Sequence, residues 1–316
     1  MKDNFTSTAV VPADCRVHFG AATAGIESME GRPVLRVALA LLAGAGSESL
    51  LANSAELGTR DGCTIFSDGT QLAGFAVASS GLELEAATTE LYRRLFAATA
   101  GRHLYRIWNY VPRINDHAHG LENYQGFCRG RSQAFERRFG PEFQRVLPSA
   151  SAVGMTAGPL AVGFIAGLAE PRHFENPRQV PAFEYPPEYG PRPPSFSRAT
   201  VIGEGNTRRV FVSGTSAIRG HATVAPGEID GQLGCTLENL ALVGQAAGVG
   251  PRLGGPGSWR RAFKVYLRHA ADLPRVQARL DRELLGPDDT VSYLQADICR
   301  AELLVEIEAV LAAGAC

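Results

Sequence analysis

The chain has 316 residues, with 31 Lys and Arg against 32 Asp and Glu, a net charge of -1. That balance excludes a protein that coats nucleic acid or binds membranes through a polybasic surface. Hydrophobic residues make up 45% and charged residues 20%, enough apolar chain to bury a large core in one or two domains.

No apolar run approaches the roughly 20 residues of a membrane-spanning helix. The longest candidate, Val34 to Gly44, carries Arg36. The start, MKDNFTSTAVV, lacks the basic-then-apolar layout of a signal peptide. The cysteines (Cys15, Cys63, Cys128, Cys235, Cys299 and Cys316) are scattered and form no CxxC. Reduced thiols in the cytoplasm are therefore expected rather than a disulfide framework.

In chain order, Val34 to Leu42 and Thr64 to Ala78 offer strands. Leu84 to Ala100 reads as a helix with Leu84, Leu91 and Leu95 on one face. Leu104 to Val111 (LYRIWNYV) is a strand rich in β-favouring residues. Leu121 to Phe139 is a second helix, and Ser151 to Leu168 supplies further strand. On the second helix Tyr124, Cys128, Arg131 and Phe135 share one face. An arginine on such an apolar face needs an anion. A carboxylate of the protein and one of a ligand both satisfy it.

Residues 171 to 198 hold eight prolines, a density that forbids helix and central strand. The same stretch carries Phe174, Phe183, Tyr185, Tyr189 and Phe196, so it should pack against the molecule as an arm. The expected division is an N-terminal α+β lobe over 1–170, the arm over 171–198, and a C-terminal domain over 199–316.

After the arm, Arg209 to Thr215 (RVFVSGT) alternates as a strand ending at a Ser-Gly turn. Ile229 to Ala247 is an amphipathic helix with Gly248 suited to close it. Ala262 to His269 alternates again, with Lys264, Tyr266 and Arg268 opposite Phe263, Val265 and Leu267. Its polar face looks to solvent, a cleft or a partner. Asp272 is the expected N-cap of the next helix. The last strand sets Glu306 and Glu308 opposite Leu303, Val305 and Ile307. Pattern alone favours an exposed charged edge; in a cleft the same carboxylates would have raised pKa values and serve as general acids. Mixed sheets with helices packed on one face follow from this order, an α+β protein of two lobes.

His117 and His119 have no supporting Cys or carboxylate cluster, so no metal is expected. Gly203-Glu204-Gly205 lacks the third glycine of a dinucleotide fingerprint, and no cofactor is expected.

The segments RVFVSGT, APGEIDGQLGCTLENLALVGQ, FKVYLRH and ICRAELLVEIEAV resemble the RidA/YjgF fold over roughly residues 200 to 313. Joined to LYRIWNYVPRIN and GLENYQGFCRGRSQAF, they resemble the chorismatase family. The resemblance implies cofactor-free cleavage of the enolpyruvyl ether of chorismate, with release of pyruvate. It assigns Glu306, in the terminal VEIE motif, as proton donor. It places Ser213, Gly214 and Thr215 near the reacting group. Combined with the face analysis, it makes Tyr124, Arg131, Lys264 and Arg268 candidates for holding the dianion. Gly214, and Cys299 seven residues before Glu306, point to the 3-hydroxybenzoate-forming type, with Cys299 steering aromatisation. A mixture with 4-hydroxybenzoate, a dihydroxycyclohexadiene product, an imine hydrolase and a non-catalytic metabolite-binding protein are the alternatives. Monomer and homotrimer both fit such a chain.

Overall fold

The computed structural model describes residues 13–314, Pro256 and Ser258 aside. The expectations for the first eleven residues and for Cys316 lie outside the described residues. No helix among the described residues is long and apolar enough to cross a membrane.

Two mixed sheets pack face to face, and each carries a helix pair on its outer face. Helices α1 (Leu84–Ala98) and α2 (Asn123–Phe139) cover the nine-stranded sheet. Helices α3 (Ile229–Ala246) and α4 (Leu273–Glu283) cover the seven-stranded one. Strand alternation produces the layers. On His103–Pro112, Ile107 and Val111 face the helices while Trp108 and Tyr110 face the other sheet. On Trp259–Leu267, Phe263, Val265 and Leu267 meet the helices. Tyr266 and Lys264 turn to the middle layer, so the polar face of this strand is buried between lobes, away from solvent.

Each sheet contains one parallel pair whose crossover includes a helix. His103–Pro112 passes through α2 to Ser149–Met155, and Trp259–Leu267 passes through α4 to Thr290–Gln295. The segment expected as one strand over Val34 to Leu42 divides. Arg32–Arg36 stays in the first sheet, while Ala40–Gly44 crosses over and pairs with Thr290–Gln295. Arg172–Phe174, at the start of the arm, pairs at the opposite edge of the same sheet. Both edges are thus occupied by chain from outside the C-terminal segment. Thr64 to Ala78 divides as well, at a turn where Asp68 Oδ1 accepts hydrogen bonds from the amides of Thr70 and Gln71 at 2.8 and 2.7 Å. Asp272 precedes α4, but its side chain makes no capping hydrogen bond.

The arm packs throughout its length. Phe183 and Phe196 lie on the core beneath α1 and α2, and Phe174 on the core of the second lobe.

Candidate active site

Where the arm, α2 and the ends of the two central strands meet, they enclose a cavity of about 320 Å³. Its floor is Glu306, on strand Val305–Ala313. The adjoining strand, Arg209–Ser216, does not stop at its Ser-Gly step but bulges there. Val212 pairs with Ala309, whereas Thr215 pairs with Ile307 and Ser216 with Glu306. The extra residue turns Gly214 toward the cavity. A Cβ on Gly214 would overlap Glu306 Oε1, so a glycine is required for the carboxyl to lie where it does.

Glu306 is 4% exposed. Ser216 Oγ donates to its Oε2 at 3.3 Å, and Oε1 has no hydrogen-bond partner among the described residues. Burial, and then the negative charge of Glu308, push its carboxyl up to about 8. It is therefore an uncharged acid at neutral pH rather than part of an exposed charged edge.

Helix α2 supplies the facing wall. Tyr124, Cys128 and Arg131 line the cavity, one turn apart on the same stripe. Arg131 is 3% exposed and rests over the rings of Tyr92 and Phe135, 5.3 and 5.6 Å from their centroids. Its Nε and Nη2 have no hydrogen-bond partner among the described residues. The anion that its apolar setting demands is thus not an internal carboxylate.

Cys299 also lines the cavity, and burial pushes its thiol up to about 12, leaving it protonated. Ser213 and Thr215, though adjacent to Gly214, face away from the cavity. Ser213 Oγ donates to Ser197 O at 2.6 Å and accepts from Ala150 N at 2.8 Å, tying the arm to both sheets. Thr215 Oγ1 donates to Ser213 O at 2.9 Å.

Lys264 and Arg268 do not line the cavity. Lys264 is engaged in the middle layer with Glu308 and Glu48. Arg268 pairs with Asp297 at 2.5 Å and donates to the carbonyls of Leu303 and Arg300, bracing the loop that carries Cys299. The strand pattern placed Lys264 on a polar face, but that face meets the other sheet and not the cleft.

Two further cations reach the cavity that the sequence reading did not single out. Arg198, the last residue of the arm, donates from Nη2 to Tyr185 Oη at 2.9 Å, and its Nε lies 3.8 Å from Glu175 Oε2, too far for a hydrogen bond but within ion-pair reach. Arg300 lies 3.9 Å from the ring centroid of Tyr189. Their sequence signals were slight: an arginine closing an aromatic-rich arm, and one beside a singled-out cysteine.

A shielded, uncharged acid opposite buried guanidinium groups suits an enzyme that protonates a small anionic substrate. The comparisons narrow that class. Residues 50–166 match the family model described as chorismatase FkbO/Hyg5-like, N-terminal. A 3-hydroxybenzoate synthase from Streptomyces hygroscopicus is 40% identical over 271 residues, 81% of this chain and 78% of that protein. A chorismatase from Streptomyces rapamycinicus is 39% identical over 273 residues, covering 81% and 79%. A chorismatase crystal structure superposes with a TM-score of 0.81 at 30% identity, covering 97% of this chain and 95% of the other. The chain belongs to the chorismatase family.

Proposed function

We propose that the protein converts chorismate to 3-hydroxybenzoate and pyruvate. The observation that carries this reading is Glu306: a buried carboxyl on the floor of the cavity, its pKa raised by burial, with the buried guanidinium of Arg131 on the facing wall and no carboxylate partner for it among the described residues. Arg131 receives one substrate carboxylate by charge-assisted hydrogen bonds, and Arg198 with Arg300 receives the other. The cavity volume suits a ligand with a single ring.

Glu306 delivers its proton to the methylene carbon of the enolpyruvyl group, which makes an oxocarbenium ion. The bond between the ring and the ether oxygen then breaks, and its electron pair leaves with pyruvate. The neighbouring ring hydroxyl attacks the vacated carbon, forming an epoxide and releasing a proton that restores Glu306. Opening of the epoxide takes up one proton, and the ring loses one from carbon as it becomes aromatic. Atoms balance without net water. The protonated Cys299 thiol lines the same cavity, which supports a role for it in directing that opening.

The decisive experiment is incubation of the purified protein with chorismate and chromatographic separation of the products. Absence of pyruvate overturns the reading. Pyruvate with a non-aromatic dihydroxy acid overturns the product assignment alone. Cys299→Ala is expected to change the ratio of aromatic products more than the total pyruvate; an unchanged ratio removes Cys299 from the opening step. Gly214→Ala is expected to displace the Glu306 carboxyl and lower kcat roughly tenfold, because small misplacements of a reacting group are costly. Its thermal unfolding should stay close to that of the parent, and a wild-type rate would show that the carboxyl tolerates a Cβ there. The five described cysteines are free thiols, which supports a cytoplasmic setting.

A further inference from the structure

Two residues beyond Glu306 on the same strand face, a second carboxylate is bonded in the opposite manner. Glu308 is 2% exposed and saturated with donors. Arg106 Nη2 donates to its Oε2 at 2.8 Å, Trp108 Nε1 to its Oε1 at 2.7 Å, and Ser151 Oγ to Oε2. Lys264 Nζ lies 2.8 Å from Oε1 and also pairs with Glu48. Two cations and two anions thus form a closed cluster between the sheets. Burial alone would raise the Glu308 carboxyl, but Lys264 and Arg106 outweigh it and hold it below the usual range. Glu306 has a single hydroxyl donor and a free oxygen. Ser151 ties the cluster to the cavity wall: it donates to Glu308 and accepts from the amide of Gly214 at 3.2 Å, the residue against which Glu306 rests.

We propose that Glu308 is a positioning residue whose permanent negative charge, fixed by Arg106, Trp108, Ser151 and Lys264, keeps the neighbouring Glu306 carboxyl protonated for proton delivery. The proposal rests on the reading of Glu306 as the acid. Geometry sets its strength, since residues two apart on a strand lie about 6.6 Å apart and both side chains are buried. The other charged or titratable groups around Glu306 are Arg106 and Tyr266 of the middle layer, the latter paired directly across from Glu306, and the cavity lining, His117, Glu122, Tyr124, Cys128, Arg131, Tyr185, Glu188, Tyr189, Arg198, Cys299, Arg300 and Glu302. Arg106 and Arg198 favour the ionised carboxylate, so among the charges acting on Glu306 the opposing influence comes from Glu308.

The sign follows directly. Glu308→Gln removes a negative charge and leaves Arg106 and Lys264 in excess, so Glu306 ionises at lower pH. The midpoint should fall by roughly one pH unit. It is read in the folded protein by infrared spectroscopy, from the C=O stretch of the protonated carboxyl that disappears in Glu306→Gln. This readout needs no turnover. In kcat/KM, starting from a midpoint of about 8, the same shift is a loss of roughly fivefold at pH 8 and almost none at pH 6. A purely structural role would lower the rate at both. Glu308→Asp, which keeps the charge, should keep the midpoint.

If Glu308→Gln does not fold, Glu308→Gln with Lys264→Gln carries the test, because it keeps the cluster neutral. Lys264 pairs directly with Glu308 and sits diagonal to Glu306, so the shift keeps its direction and shrinks. An infrared midpoint that stays put or rises overturns the proposal. Wild-type protein that leaves chorismate untouched overturns the reading of function, and the midpoint still decides the coupling.

Discussion

Glu306→Gln is expected to lower kcat by on the order of 10³-fold with little change in KM, because general acid catalysis accounts for about that much of the rate. The amide keeps the shape of the side chain and the contact with Ser216 while removing the transferable proton. Steady-state kinetics with chorismate checks this, and a variant at a tenth of the wild-type rate or better would remove Glu306 as the acid. The pH profile of the parent is a second signature. The active form is the protonated one, so kcat/KM, which reports the free enzyme, should be level on the acid side and fall as pH rises through about 8. Stability should follow the same group. Its folded pKa is raised above the ordinary 4.5, so the folded chain binds the proton more tightly than the unfolded chain. That contribution is complete below pH 4.5 and is lost as pH rises toward 8. Glu306→Gln should flatten this dependence, and thermal unfolding across that window measures it. An acid kept neutral against its solution preference reduces stability at working pH in return for catalysis.

The outer layers of the fold were legible in the sequence because their residues repeat with helix or strand period. Ile229 to Ala247 falls within one residue of the observed α3, and Ala262 to His269 within three of the strand before α4. The middle layer was not. A strand buried on both sides by unlike partners shows apolar residues on one face and polar residues on the other, as an exposed strand does. Pattern alone therefore favoured an exposed edge for Glu308 and left the Lys264 face open among solvent, a cleft and a partner, although the two pair with each other and Lys264 also with Glu48. The crossing of Ala40–Gly44 into the second sheet was hidden for a similar reason. VLRVALALLAG is continuous in hydrophobicity, and nothing local marks where the chain changes partners. At the candidate site, Glu306 and Gly214 were legible through motif, and Tyr124, Cys128 and Arg131 through helical spacing. Arg198 and Arg300 belong to irregular segments, which carry no period to read.

Arg131→Met should separate binding from folding. If Arg131 were half of a structural salt bridge, its removal would strand a buried carboxylate and reduce stability by several kcal/mol, ~3 to 5 in typical cases. The structure offers no such carboxylate among the described residues, where Nε and Nη2 have no hydrogen-bond partner. Removing the guanidinium then relieves a desolvated charge, at the loss of its contacts with Tyr92 and Phe135, which are worth about 0.5 to 2 kcal/mol. Methionine fills much of the same volume between the rings. The expected Tm of the ligand-free variant is within a few degrees of the parent or above it. Substrate binding should suffer instead. A buried carboxylate deprived of its partner costs about 2 to 5 kcal/mol, so kcat/KM should fall on the order of 10²-fold, mostly through KM. Arg131→Lys restores the charge but not the two-pronged geometry, and should recover part of the loss. A large drop in Tm with unchanged KM would make Arg131 a structural residue and move the carboxylate to Arg198 and Arg300. The prediction turns on a difference between two kinds of buried cation. One paired with a carboxylate of the protein, as Arg106 is with Glu308, belongs to the fold, whereas Arg131 lines the cavity with no such carboxylate among the described residues.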